Sequence, residues 1–351
     1  MHRRREIVGR SALLTAALVL ALLGGCGVPG RSIEITGRGT LIKADDGFDL
    51  WACRLTTKDS SQAKARAICL YLQGSEDRPV MDHAEALAGL CEMNVPVYAV
   101  ERRGVHPDGT IDPAIARQNA ARETRINDSV RVLSWARERH DGETPVILIG
   151  ASEGGDIAAA VAARSKNITC VILLGSGGGW TQEEEFRHFI RTRGEYLGFK
   201  AERELDEQIA RIRAAPLSDE EWAGHPYRRW SSFLFARAAD ELLKVDCPIL
   251  LVQGTADESV PIESARALRE AFNKAGKTNL KVVEIEGADH TFKNPQTKLN
   301  QRPLVELAVT SWLGEQHLLA PAEVAMYDAR VRHSHPELFE HDGIGPKPKG
   351  K

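Results

Sequence analysis

Five short segments of this chain are almost wholly apolar: 67–72, 95–100, 145–149, 169–174 and 248–253. A strand with one wet face alternates apolar and polar residues, and these do not, so each is expected to be buried on both faces. Helical patterns separate them, as in 82–93 with Ala84, Leu87 and Leu90 on one face, and 122–140 with Ile126, Val130 and Leu133. Buried strands alternating with helices imply a mostly parallel sheet covered on both sides, an α/β fold. Segments 33–41 and 49–56 read as an antiparallel N-terminal pair turned at Asp45-Asp46-Gly47, and 280–285 as a last strand. A chain of 351 residues, 42% of them hydrophobic, can bury all of this in one core.

The alternation breaks at 180–245, a charged helical insertion that contains ten of the chain's 20 aromatic residues. Ser218-Asp219-Glu220-Glu221 within it has the form of a capping box and predicts a helix start. The expected organisation is a core of 33–179 and 246–316, an insertion at 180–245, and a tail at 317–351 that is partly disordered.

Chemistry concentrates at Gly150-Ala151-Ser152-Glu153-Gly154, placed between a buried strand and an Ala-rich helix. A serine at such a sharp turn is lifted above the sheet edge, and flanking glycines let strand and helix approach without a Cβ in the way. It then sits at a helix N-terminus, where unbonded N–H groups favour developing negative charge.

With Gly155, this segment resembles the Gly-x-Ser-Glu-Gly-Gly esterases and peptidase-like members of the α/β-hydrolase superfamily, over roughly 33–316. The resemblance implies the α/β-hydrolase fold with antiparallel N-terminal strands, and a helical cap at 180–245. It also implies a nucleophile, acid and histidine in that chain order. Gly254-Thr255-Ala256-Asp257-Glu258-Ser259-Val260-Pro261 is similar to the family's acid segment, which makes Asp257 the acid and Glu258 its backup. Gly287-Ala288-Asp289-His290 matches the histidine loop, so Ser152, Asp257 and His290 form the expected triad. The oxyanion hole is expected from the backbone N–H groups of Glu153 and Ser75. Gln73-Gly74 stands where many relatives carry His-Gly. The implied activity is hydrolysis of a small-molecule acyl substrate, first a carboxylic ester, with amide, peptide or thioester as alternatives, and no metal or organic cofactor. A perhydrolase shares the triad, and a non-catalytic binding module shares the fold.

Elsewhere the sequence makes weaker statements. Arg3-Arg4-Arg5, the uncharged run 11–23 and Leu23-Gly24-Gly25-Cys26 make a secretory signal that resembles a bacterial lipobox. Residues 1–26 are therefore expected to direct export to the cell envelope, with Cys26 lipidated as a membrane anchor. Loss of 1–25 removes four Arg and one Glu, so a net charge of −3 becomes −6. That balance gives no reason to expect nucleic acid as a partner, and attachment to anionic lipid would rest on the acyl chains. The remaining cysteines fit no disulfide framework; Cys170 and Cys247, which open neighbouring strands, are the one pair close enough to name. Arg102-Arg103 and Arg228-Arg229 read as salt-bridged or, alternatively, as partners of a substrate carboxylate. His333, His335 and His341 lack a fourth ligand for a metal.

Overall fold

A computed structural model describes residues 35–57 and 64–339. The lipobox with Cys26, His341 and the last residues of the tail lie outside the described residues. Ten strands and eleven α-helices follow one another along the described residues. The first half runs β1 (Ile35–Lys43), β2 (Asp49–Thr57), β3 (Ile68–Leu72), α1 (Ala84–Glu92), β4 (Val97–Val100), α2 (Pro113–Gln118), α3 (Arg122–Arg137), β5 (Val146–Ala151), α4 (Glu153–Arg164) and β6 (Cys170–Leu174). The insertion holds α5 (Gln182–Arg193), α6 (Glu202–Ala214), the two-residue strands β7 (Glu221–Trp222) and β8 (His225–Pro226), α7 (Tyr227–Phe233) and α8 (Ala238–Leu242). The core resumes with β9 (Ile249–Gly254), α9 (Ile262–Lys274), β10 (Leu280–Ile285) and α10 (Arg302–Glu315), and α11 (Pro321–Ser334) follows.

Eight strands form one sheet in the order β1-β2-β4-β3-β5-β6-β9-β10. β2 is antiparallel to both β1 and β4, and the strands from β4 to β10 run parallel. This is the α/β-hydrolase fold. Residues of β3, β5, β6 and β9 are buried throughout, which is why they carry no polar alternation. One apolar layer lies under α3, α4 and α9 and includes Ile126, Ile157 and Leu268. The opposite layer includes Leu90, Val305 and Trp312 from α1 and α10. The insertion has its own small cluster, with Phe186, Leu205, Ile209, Tyr227 and Trp230 packed together.

One local expectation fails. No helix opens at Ser218. Ala223 and Gly224 both take positive φ, 48° and 78°, which turns β7 back onto β8 as a tight hairpin. The insertion's capping box is Thr181 with Glu184: Thr181 N–H donates to Glu184 Oε2 at 2.7 Å, and Glu184 N–H to Thr181 Oγ1 at 3.2 Å. The described part of the tail adds one more helix. α11 begins with Pro321 at its first turn and buries Tyr327 and Val331. Arg66 grips Glu323 with two hydrogen bonds of 2.6 and 2.7 Å.

The five cysteines among the described residues are free thiols, Cys170 and Cys247 included. No described helix is long and apolar enough to cross a membrane.

Candidate active site

The turn from β5 into α4 is as tight as its glycines require. Ser152 has φ 53° and ψ −126°, a strained conformation for a residue with a side chain, of about 1–3 kcal/mol. Its N–H donates to the Leu174 carbonyl at 2.8 Å, which holds the turn against β6. A Cβ on Gly154 would run into the carbonyls of Leu72 and Gln73, and one on Gly150 into Gly154 itself. The strain at 152 persists because strand, helix and the loop after β3 leave the backbone no other course.

Asp257 follows β9 and is fully shielded from solvent. Its Oδ1 accepts the N–H groups of Ser259 and Val260, at 2.8 and 2.9 Å. Its Oδ2 accepts Gln253 Nε2 at 2.8 Å and lies 2.8 Å from His290 Nδ1. Gln253 is clamped in turn, donating to the Val260 carbonyl at 3.0 Å and accepting the Gly177 N–H at 3.0 Å. Glu258, by contrast, points to solvent with 76% of its side chain exposed, 3.7 Å from Arg193.

His290 stands on the loop after β10. Asp289 Oδ1 gathers the N–H groups of Thr291 and Lys293 and the Thr291 hydroxyl, at 2.8–3.0 Å. Phe292 takes a φ of 55° to fit, and its ring is wholly buried. Burial of such a ring stabilises by about 1.5–3 kcal/mol, enough to offset that backbone strain. His290 Nε2 then lies 3.0 Å from Ser152 Oγ. Burial works to lower the imidazole's pKa, but the charge of Asp257 and its hydrogen bond outweigh it and hold the pKa above the ordinary value.

The three residues named from sequence thus meet in one hydrogen-bonded row, Asp257–His290–Ser152. With Nδ1–H donating to the carboxylate, Nε2 is left to accept the serine hydroxyl, the protonation needed to take up its proton. Ser75 and Glu153 line the cleft beside Ser152. Glu153 opens α4, so its N–H is one of those that an α-helix leaves unbonded.

Sequence reasoning gave Glu153 only a backbone role. Its carboxylate is buried and meets three guanidiniums: Arg125 Nη1 at 2.5 Å, Arg102 Nη2 at 3.1 Å, and Arg229 Nη2 in direct contact. Burial alone would raise its pKa, but Arg229, Arg125 and Arg102 bring it down to about 2. Two of these arginines also hold the loop after β3, through Arg102 to the Ser75 carbonyl at 2.8 Å and Arg125 to the Gln73 carbonyl at 2.6 Å. Arg103 is instead tied to Asp128 and Asp46, and Arg228 to the Leu217 carbonyl near Asp219.

The cleft over Ser152 has a volume of about 180 Å³. Trp180, Phe186, Tyr196, Trp230 and Phe233 of the insertion face into it, so some of its aromatics serve both its own core and the cleft. Glu185 also faces the cleft, and burial pushes its carboxyl up to about 8, with Ser264 as a hydrogen-bond partner. No group of His, Cys, Asp and Glu that could hold a metal occurs among the described residues.

The sequence profile of the alpha/beta hydrolase family matches residues 74–304. No curated protein matches the sequence. Among solved structures, Est1E from Butyrivibrio proteoclasticus superposes with a TM-score of 0.54 at 21% identity, over 80% of this chain and 99% of that one. A thermostable carboxyl esterase from Bacillus coagulans gives 0.59 at 16% identity, over 81% and 99%. An acylaminoacyl peptidase from Pyrococcus horikoshii gives 0.55 at 12% identity, with 80% of this chain covered but only 41% of the peptidase.

Proposed function

Because the chain belongs to the alpha/beta hydrolase family, we propose that it is a serine hydrolase that cleaves a carboxylic ester through an acyl-enzyme. The row Asp257–His290–Ser152, with contacts of 2.8 and 3.0 Å, is the observation that carries this reading. The esterases among the structural neighbours support an ester as first substrate, and the peptidase among them keeps an amide as the alternative.

The steps use groups of this chain. Ser152 Oγ bonds to the acyl carbon as its proton passes to His290 Nε2, and the carbonyl π pair becomes an oxyanion. The N–H groups of Glu153 and Ser75 receive that charge. The tetrahedral centre collapses, the C–O bond to the alcohol breaks, and the imidazolium returns the proton to the leaving oxygen. Water then repeats the sequence on the acyl-enzyme, giving up a proton to His290 and releasing the acid and Ser152.

The test is covalent labelling with a fluorophosphonate, followed by a panel of p-nitrophenyl esters. Label on the wild type and none on Ser152→Ala is the expected result. An unlabelled folded wild type that turns over no ester would favour a non-catalytic binding module. We propose as well, from the sequence of residues 3–26, that Cys26 is the lipid anchor of an envelope protein. Cys26→Ser is then expected to leave the membrane fraction, and continued attachment refutes the anchor.

A further inference from the structure

Three guanidiniums share the Glu153 carboxylate, and they are not equally provided for. Arg102 also pairs with Asp77 at 2.5 Å and bonds the Ser75 carbonyl. Arg125 also bonds the Gln73 carbonyl, and both feel the nearby Glu76. Among the described residues the Arg229 guanidinium hydrogen-bonds Glu153 alone, with the charge of Asp77 acting on it through space. Its side chain is 5% exposed, and its Nε and Nη1 are buried without a hydrogen-bond partner. It reaches in from α7, with its guanidinium 4.5 Å from the Trp230 ring and 5.1 Å from that of Phe233. Those rings hold the cation in place but cannot accept its remaining protons in the plane of the group.

A buried cation left with donors unmet is strongly unfavourable unless something else supplies the missing acceptor. The acids nearby do not: Asp77, whose charge reaches Arg229, is hydrogen-bonded to Arg102. Asp156 is taken by Arg122 at 2.5 and 3.0 Å. Glu185, in the same cleft, is held protonated by burial at neutral pH. His225, close to Arg229, brings no charge, since burial and Arg229 push its pKa down to about 4. Arg229 forms part of the wall of the cleft that contains Ser152, and Glu153 is the residue next to that serine.

We propose that Arg229 is the anion-recognition residue of this cleft, and that the ester cleaved at Ser152 carries a carboxylate on the part seated under α7. The N–H groups that Arg229 has left over beyond its pairing with Glu153 suit one further anionic acceptor, so a half-ester of a dicarboxylic acid is the simplest substrate of this class. The inference rests on Ser152 as the nucleophile for its catalytic half, but its binding half does not need turnover.

The decisive experiment is a calorimetric titration of Ser152→Ala protein with monomethyl succinate and with its neutral counterpart, dimethyl succinate. The half-ester is expected to bind about 10- to 100-fold more tightly, the range for a hydrogen bond to a charged group. Arg229→Gln in the same background should remove the preference, and Arg229→Lys should retain part of it. Equal binding of the two probes, or binding of neither, overturns the proposal, as does a preference that survives in Arg229→Gln. Should Arg229→Gln fail to fold, the Arg229→Lys protein and the two probes decide.

A kinetic arm separates this inference from the hydrolase reading. The kcat/KM ratio for p-nitrophenyl hemisuccinate over p-nitrophenyl butyrate should fall in Arg229→Lys, while a purely structural arginine would lower both rates and leave the ratio unchanged. Turnover of the neutral ester without selective binding of the half-ester sinks this inference alone. Selective binding without any turnover sinks only the hydrolase.

Discussion

Gln253 Nε2 donates to Asp257 Oδ2 at 2.8 Å, the same carboxylate oxygen that faces His290 Nδ1. Gln253 is a positioning residue, because it touches the acid and never the serine. Gln253→Leu removes a hydrogen bond to a charged acceptor and frees the acid loop that Gln253 ties to Val260. Ester hydrolysis is expected to fall about tenfold or more, mainly in kcat. A carboxylate with one donor fewer also holds the imidazolium more strongly, so the acid limb of the pH–rate profile should move up. An unmoved limb with an equal loss at every pH would mean that Gln253 serves only packing.

Asp257 and Glu258 are adjacent acids with opposite surroundings. Asp257 is fully buried and takes four hydrogen-bonding groups, whereas Glu258 is mostly exposed. Asp257→Asn should lower kcat by about 10⁴-fold, the scale of a triad that loses its tautomer control. Glu258→Gln should stay within about twofold, as expected of an exposed charge. Steady-state kinetics on the two variants measures both, and the reverse order would reassign the acid.

His290 must be neutral to accept the Ser152 proton. Its pKa is held above 6.5 by Asp257 in spite of burial. Hydrolysis of a neutral ester should therefore be complete above that raised value and be lost as pH falls through it. A kcat/KM profile from about pH 5 to about pH 9 locates the limb. A limb below 6.5 would contradict the pairing with Asp257.

Glu185 gives a stability test with a defined sign. Burial raises its pKa from 4.5 to about 8, so between these values the folded protein keeps a proton that the unfolded chain releases. The unfolded state then binds fewer protons, and this residue's contribution makes stability fall as pH rises through that window. Glu185→Gln keeps the hydrogen-bonding capacity and loses the titration. Denaturant midpoints should show the variant gaining on the wild type from about pH 5 to about pH 8. A constant difference across the window would place Glu185 in contact with water or a cation.

The fold was legible where one face of the chemistry is absent. Runs such as 248–253 can only be buried strands, and the glycines at 150 and 154 announce a turn that no larger residue could take. The elements that sequence reasoning missed depend on contacts far along the chain. α11 looks like a polar tail until Arg66, from the other end of the fold, binds Glu323. Ser218–Glu221 has the letters of a helix cap, and the positive φ of Ala223 and Gly224 decides against it. At the site, the family pattern names the row of three because their order is fixed. Arg102, Arg125 and Arg229 converge on Glu153 from a loop, from α3 and from α7, and no spacing in the sequence records that meeting. Gln253 did leave a trace, as the one polar side chain of an otherwise apolar strand.

The ion pair between Glu153 and Arg229 joins the neighbour of Ser152 in the core to a helix of the insertion. The roof and the floor of this pocket are consequently not interchangeable parts. Grafting α5 to α8 onto another sheet, or borrowing a foreign lid for this one, would leave a buried charge facing a stranger. Re-engineering of the enzyme's selectivity is better directed at the rings that hang from that roof than at the roof's attachment.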